Sequence, residues 1–226
     1  MLFLKDLFFP YSCAICEKSF KASEHVICTH CLQQLPYSNS WNNPQNLVYQ
    51  KLYGRFDFEK AISLLFFTPS GAAQHLIHLL KYKNRKDIAV LLGKLLSNHL
   101  IKMTWEHEID AIIPVPIHKN KLKERGYNQA QCIAEGIAAI NHKPVWDHLL
   151  LRNLHTPTQT KKTRLERIQN VENAFQLSST ELLENKHILL VDDVLTTGAT
   201  IEACALELLK VKGLKVSVAF IASTYH

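Results

Sequence analysis

Asp192 and Asp193 stand side by side, and Thr196, Thr197, Gly198, Ala199 and Thr200 follow them. The four apolar residues before the acids, Ile188 to Val191, predict a buried strand of a parallel sheet. The acids then leave its carboxyl end, where open α/β sheets place their ligands. The turn leads into the apolar run Ile201 to Val211, which reads as a helix. Free backbone N–H groups, threonine hydroxyls and the positive end of a helix dipole then converge on one point, an arrangement that suits a phosphate dianion. Gly198 allows the backbone close approach and a positive φ. Two ionised aspartates would repel that phosphate, so they need a different client. Vicinal hydroxyls fit, because a carboxylate only accepts hydrogen bonds and a diol offers two donors. The pattern predicts a ribose 5-phosphate with free 2- and 3-hydroxyls.

LLVDDVLTTGAT, residues 189–200, resembles the fingerprint of type I phosphoribosyltransferases, which bind 5-phosphoribosyl 1-pyrophosphate with Mg²⁺. The resemblance implies that Asp192 and Asp193 hold the ribose hydroxyls and that Thr196 to Thr200 hold the 5-phosphate. The competing reading is an ordinary strand-to-helix connection capped by threonine. It is disfavoured because strand, acid pair, hydroxyl turn and helix occur in the right order. Purine-salvage enzymes of this fold commonly carry an acid where Thr196 stands, so a purine-salvage role is not expected.

A second constellation lies near the start. Cys13, Cys16, Cys28 and Cys31 are spaced C-x2-C, eleven residues, C-x2-C, which predicts a four-thiolate site with zinc as the default structural occupant. A disulfide framework is disfavoured for a chain that lacks a recognisable secretory signal. A redox pair is the weaker alternative. Residues 1 to about 45 hold too few apolar side chains to order themselves, so metal would supply much of the folding energy. His25 and His30 read as neighbours of a completed shell. Cys132 and Cys204 are isolated in helical patterns and read as small core residues.

The 226 residues, 47% of them apolar, suffice for one ordinary domain with a small appendage. No apolar run is long enough for a membrane span, and MLFLKDLFF is too short and too charged for a signal, so a cytoplasmic location is expected. The net charge of +6 is a moderate excess and does not by itself indicate nucleic acid. Its distribution says more. Lys119, Lys121, Lys123 and Arg125 form one cluster, and Lys161, Lys162, Arg164 and Arg167 another. Both fall in segments that read as loops, where they could meet pyrophosphate, a nucleic-acid backbone or only water.

These groups must be positioned by a body, and the sequence outlines one. Residues 36 to 55, rich in Asn, Pro, Ser and Tyr, read as a linker. Ala61 to Phe67 is a strand, Ala73, Ile77 and Leu80 mark a helix, and residues 80 to 87 are a polar break before a helix from Ile88 to about Lys102. Ile109 to Ile113 is a strand with the rigid exit Pro114-Val115-Pro116. A helix through Ile133, Ile137 and Ile140 follows, and Val216 to Ala222 is the final strand. The expected fold is α/β, a doubly wound parallel sheet in residues 46–226, with a small N-terminal cysteine module in residues 1–45.

IIPVPIHKNKLKERGYNQA, LLRNLHTPTQTKKTRLERIQNVENAF and LKYKNRKD together resemble the ComF family, phosphoribosyltransferase-like proteins with an N-terminal zinc module. The resemblance implies a role in natural competence, the uptake of DNA for transformation. It also implies that Gln159, Lys161, Lys162, Arg164 and Arg167 clamp the pyrophosphate donor under a closing loop. Lys119, Lys123 and Arg125 would occupy the place of a pyrophosphate loop, with Lys161 and Arg164 beside Asp192 and Asp193 as the catalytic group. Two other readings stay open. In one, the basic clusters with Trp41, Tyr49 and Tyr53 contact single-stranded DNA; in the other, the zinc module docks a partner such as a competence helicase.

Overall fold

Four apolar runs lie side by side in one parallel sheet: β1 (Ala61–Phe67), β2 (Ala111–Pro114), β5 (His187–Leu195) and β6 (Lys215–Thr224), in the order β1-β6-β5-β2. This computed structural model describes residues 12–19, 26–43, 45–152 and 174–224. Two short strands, β3 (Leu150–Arg152) and β4 (Phe175–Leu177), pair antiparallel as a separate ribbon. The helices are α1 (Thr29–Gln33), α2 (Leu47–Leu52), α3 (Ala72–Tyr82), α4 (Lys86–Lys102), α5 (Trp105–Glu108), α6 (Lys119–Arg125), α7 (Gln129–Asn141) and α8 (Ala199–Leu208).

Side-chain alternation along the strands explains why both faces are covered. Leu189 and Val191 face a core shared with Leu76 and Leu80 of α3, Leu92 and Leu96 of α4, and Ile133 and Ile137 of α7. Ile188 and Leu190 face a second core with Val48 and Leu52 of α2 and Ile201, Ala205 and Leu208 of α8. The sheet is doubly wound, as the sequence predicts. Helices α4 and α7 touch backbone to backbone: a Cβ on Gly93 would lie 2.2 Å from the carbonyl oxygen of Ile133, and one on Gly136 would lie 2.3 Å from that of Val90. Cys132 and Cys204 are buried in these cores, the place expected of small apolar residues.

Three expectations change. The run Ile188 to Val191 does not end before the acids: β5 continues through Asp192 and Asp193 to Leu195, because Asp192, Val194 and Leu195 still pair with Phe220, Ala222 and Ser223 of β6. The basic segment 119–125 is helix α6 rather than a loop. His118 caps its start by accepting from Asn120 N through Nδ1, and Gly126 ends it at φ +75°. None of its residues is buried, so it lacks the apolar stripe that would mark it in the sequence.

The linker expected over residues 36 to 55 is instead packed structure. Ser38 and Ser40 are buried and donate to the carbonyl of Ser63. Asn46 donates to the carbonyl of Ala61 at 2.8 Å while its side-chain oxygen caps α2. Polar residues read as linker because they are polar; here they satisfy the outer edge of β1. The cysteine region shares the first core, since Cys13, Ile27, Cys31 and Leu35 pack with the residues of α3 and α4. His75 of α3 also lies 2.9 Å from the carbonyl oxygen of Ala14.

Candidate functional site

The turn at the tip of β5 has the form its residues dictate. Gly198 is the N-cap of α8 at φ +81°, a left-handed conformation that other residues adopt only at a cost. Thr196, Thr197, Ala199 and Thr200 around it are exposed. They line a small cavity of about 40 Å³ together with Asp192 and Phe220. A larger cavity of about 230 Å³ adjoins it, and both share Asp192, Val194, Thr196 and Thr200. Asp192 therefore stands between a hydroxyl-lined cup and a second compartment, which Asp193 also lines.

That second compartment is rich in cations. Lys81 from the end of α3, Lys121 and Arg125 from α6, and Arg152 from β3 line it, along with Asn128, Gln129 and the exit residues Val115, Pro116 and Ile117. Lys81 Nζ lies 3.1 Å from Asp193 Oδ2. The bridge does not draw the acid away from the opening, because both partners line the cavity. Arg125 donates to Gln129 Oε1 at 3.0 Å. Arg125 Nε and Gln129 Nε2 are buried donor nitrogens with no hydrogen-bond partner.

The two acids differ. Burial first, then the charge of Asp193, pushes the Asp192 carboxyl up to about 7 from a usual value of 3.8, against the opposing pull of Lys81 and Arg152. Asp192 also accepts from the backbone N–H of Asp193 at 2.8 Å. A diol that donates to this carboxylate would favour its ionised form, so ligand and charge are coupled. The hydroxyl of Tyr127 donates to the carbonyl of Leu80 at 2.5 Å and ties the start of α7 to the segment bearing Lys81. Burial pushes that phenol up to about 12.

Sequence reasoning gathered some of these residues and missed others. Asp192, Asp193, Thr196, Thr197, Gly198, Ala199, Thr200 and Arg125 come together at the two cavities. Lys119 and Lys123 are exposed on α6 and are not among the cavity-lining residues; a helical turn carries Lys121 and Arg125, four apart, to one side. Gln159, Lys161, Lys162, Arg164 and Arg167 lie outside the described residues. Lys81, Arg152 and Gln129 had no assigned role, although Lys81 lies within the LKYKNRKD block. Of the aromatics considered for stacking, Trp41 lies flat against His99 at 3.8 Å and Tyr49 packs on Phe58, whereas Tyr53 is 71% exposed.

The four cysteines converge as their spacing predicts. Their sulfurs all lie within 4.8 Å of one another, and Cys16 and Cys28 are 3.8 Å apart. A tetrahedron with metal–sulfur bonds of about 2.3 Å has sulfur–sulfur edges of about 3.8 Å, so the cluster fits a tetrahedral ion. Backbone N–H groups of Ile15 and Cys28 point at Cys13 Sγ, and that of Cys31 at Cys28 Sγ, each at 3.4 Å. Burial raises Cys13, but N–H groups of Cys16, Cys28 and Ile15 outweigh it and bring the thiol down to about 6. Burial and the neighbouring thiols push Cys31 up to about 12. A bound dication would offset the charge of thiolates held this close together. His30 is exposed and is not part of the cluster.

Comparison with known proteins agrees with this geometry. The phosphoribosyl transferase domain model matches residues 152–225. The DNA utilization protein YhgH of Escherichia coli O157:H7 is 30% identical over 190 residues, covering 82% of this chain and 73% of that protein. Competence protein F of Haemophilus influenzae is 27% identical over 205 residues, 86% of this chain and 89% of that protein. Competence protein ComFC of Bacillus subtilis is 36% identical over 107 residues, 47% of this chain and 41% of that protein. Among the described residues no helix is long and apolar enough to cross a membrane. With a parallel sheet of the type I phosphoribosyltransferase kind, a four-cysteine cluster and relatives aligned over most of their length, the chain belongs to the ComF family.

Proposed function

We propose that this chain binds 5-phosphoribosyl 1-pyrophosphate across the two joined cavities. The observation that carries the reading is the position of Asp192, shared by both compartments, with hydroxyls and a helix N-terminus on one side and four cationic side chains on the other. The 5-phosphate would sit in the cup of Thr196 to Thr200 and the ribose diol on Asp192 and Asp193. The pyrophosphate would take Lys81, Lys121, Arg125, Arg152 and the unpartnered N–H groups of Arg125 and Gln129. These cations also suit catalysis, because pyrophosphate leaving C1 takes the bonding electron pair and gains charge there. Lys161 and Arg164 remain candidates to hold the pyrophosphate by the family resemblance alone.

Mg²⁺ fits the donor set, since Asp192 and Asp193 supply hard oxygen ligands, and it would offset the negative charge of the pyrophosphate. Zinc is the proposed ion of the cysteine cluster, giving a module over residues 1–45 and a ligand-binding body over 46–226. Two relatives are named for DNA utilisation and competence; on that basis we assign this chain a competence role, and a cytoplasmic location follows only from the sequence expectation.

Thermal unfolding with the donor and Mg²⁺ tests the pocket. Ligand at about 100 times its Kd adds roughly 2.7 kcal/mol, a rise of several degrees in Tm. Asp192→Asn and Asp193→Asn should abolish the rise, each judged against the Tm of its own ligand-free form. A wild-type Tm that ignores saturating donor rejects the reading.

A further inference from the structure

The segment between α2 and β1 reaches across to the phosphate turn through one side chain. Arg55 donates from Nη1 to the carbonyl of Thr197, and its Nη2 lies 2.7 Å from Glu202 Oε2. A Cβ on Gly198 would lie 2.5 Å from Arg55 Nη1 and 3.1 Å from Leu52 Cδ2, so the turn and the clamp meet without a gap. Arg55 is itself firmly mounted. Its backbone N–H donates to the carbonyl of Leu52 at 3.1 Å, Leu52 is fully buried, and Asn46 ties α2 to β1.

We infer that Arg55 is a positioning residue for the phosphate turn, holding the Thr197 carbonyl away from the cup and neutralising Glu202 beside it. The inference deepens the proposed donor binding and rests on that reading for its ligand. A turn that offers N–H groups to an anion must keep its carbonyls turned elsewhere, and a carbonyl held by a guanidinium cannot rotate inward. Glu202 lies in the first turn of α8, where a carboxylate helps the helix but repels a bound phosphate. A planar guanidinium can hold the carbonyl and the carboxylate at once; an ammonium on a flexible stem is poorly shaped for both. Arg55 touches no ligand in this account and acts through Thr197, Gly198 and Glu202.

The test uses the full chain with ribose 5-phosphate for the cup and inorganic pyrophosphate for the cationic compartment, both by calorimetry. Arg55→Met should weaken ribose 5-phosphate about tenfold, the worth of one hydrogen bond to a charged group, and leave pyrophosphate within about twofold. Arg55→Lys should recover only part of the loss, and adding Glu202→Gln to Arg55→Met should recover part of it by removing the repulsion. Amide hydrogen exchange at Gly198 and Ala199 in ligand-free protein gives an independent readout and should speed up in Arg55→Met. Unchanged exchange together with ribose 5-phosphate affinity within twofold of wild type overturns the inference. Should wild type bind no ribose 5-phosphate, donor binding fails, and the exchange rates alone then decide whether Arg55 fixes the turn.

Discussion

The cysteine cluster and the acid-pair pocket are built on opposite plans. Four sulfurs from two short segments lie within 4.8 Å of one another and would fill a tetrahedral shell with no open position, the form of a structural metal site. The pocket at β5 is open, with exposed threonines and two buried donor nitrogens lacking acceptors. Its cations come from α3, α6 and β3. The closed site depends on its own ligands, whereas the open one depends on how distant elements converge.

The sharpest break of this contrast is Cys28→Ser. Structural zinc carries on the order of 10 kcal/mol of apparent folding energy in comparable modules, so wild type should carry one zinc, this variant should lose it, and the segments 12–19 and 26–43 should become protease-sensitive. Metal analysis and limited proteolysis check both, and a variant that keeps zinc and resists cleavage would sink the structural role. At the open site, Lys81→Met leaves Asp193 without its partner and removes one cation. Donor affinity should fall about tenfold, or about 1.4 kcal/mol, with the zinc content unchanged.

Acidity separates the two sites further. The unfolded Asp192 carboxyl ionises near its usual 3.8, whereas the folded one retains its proton up to about 7. Between those values the folded state binds more protons, so this group's contribution to stability declines as pH rises. Donor binding should move the other way and strengthen as pH rises through about 7, because the diol needs an ionised acceptor. Asp192→Asn should flatten the stability profile, which denaturant titrations from pH 5 to 8 would show. The smallest effect is expected on the outer side of α6. Lys119→Ala and Lys123→Ala should change donor affinity less than about twofold, while Lys121→Ala should weaken it more; the reverse ranking would mean that α6 turns its other side to the ligand.

What the sequence revealed follows from the same contrast. The strand, acids, turn and helix of the cup are contiguous, and so are the cysteine knuckles, so local spacing was enough to find both. Lys81 and Arg152 lie in blocks that carry the family resemblance, but they reach the pocket only through the folding of α3 and β3, which local spacing does not show. Helix α6 was legible only through its caps, His118 and Gly126, because it buries no side chain. β3 and β4 are three residues each, too short for alternation to show. The polar stretch around Ser38, Ser40 and Asn46 misled because its side chains bond to β1 rather than to water.

The bare glycine contact between α4 and α7 reaches further than packing. One of these helices is joined through a short break to the lysine that holds Asp193, and the other begins with the glutamine that borders the cationic compartment. A change in their spacing would therefore be felt at both walls of the pocket. A methyl group added at Gly93 would meet the backbone of Ile133 and push the two helices apart, so this interior position bears on walls it never touches.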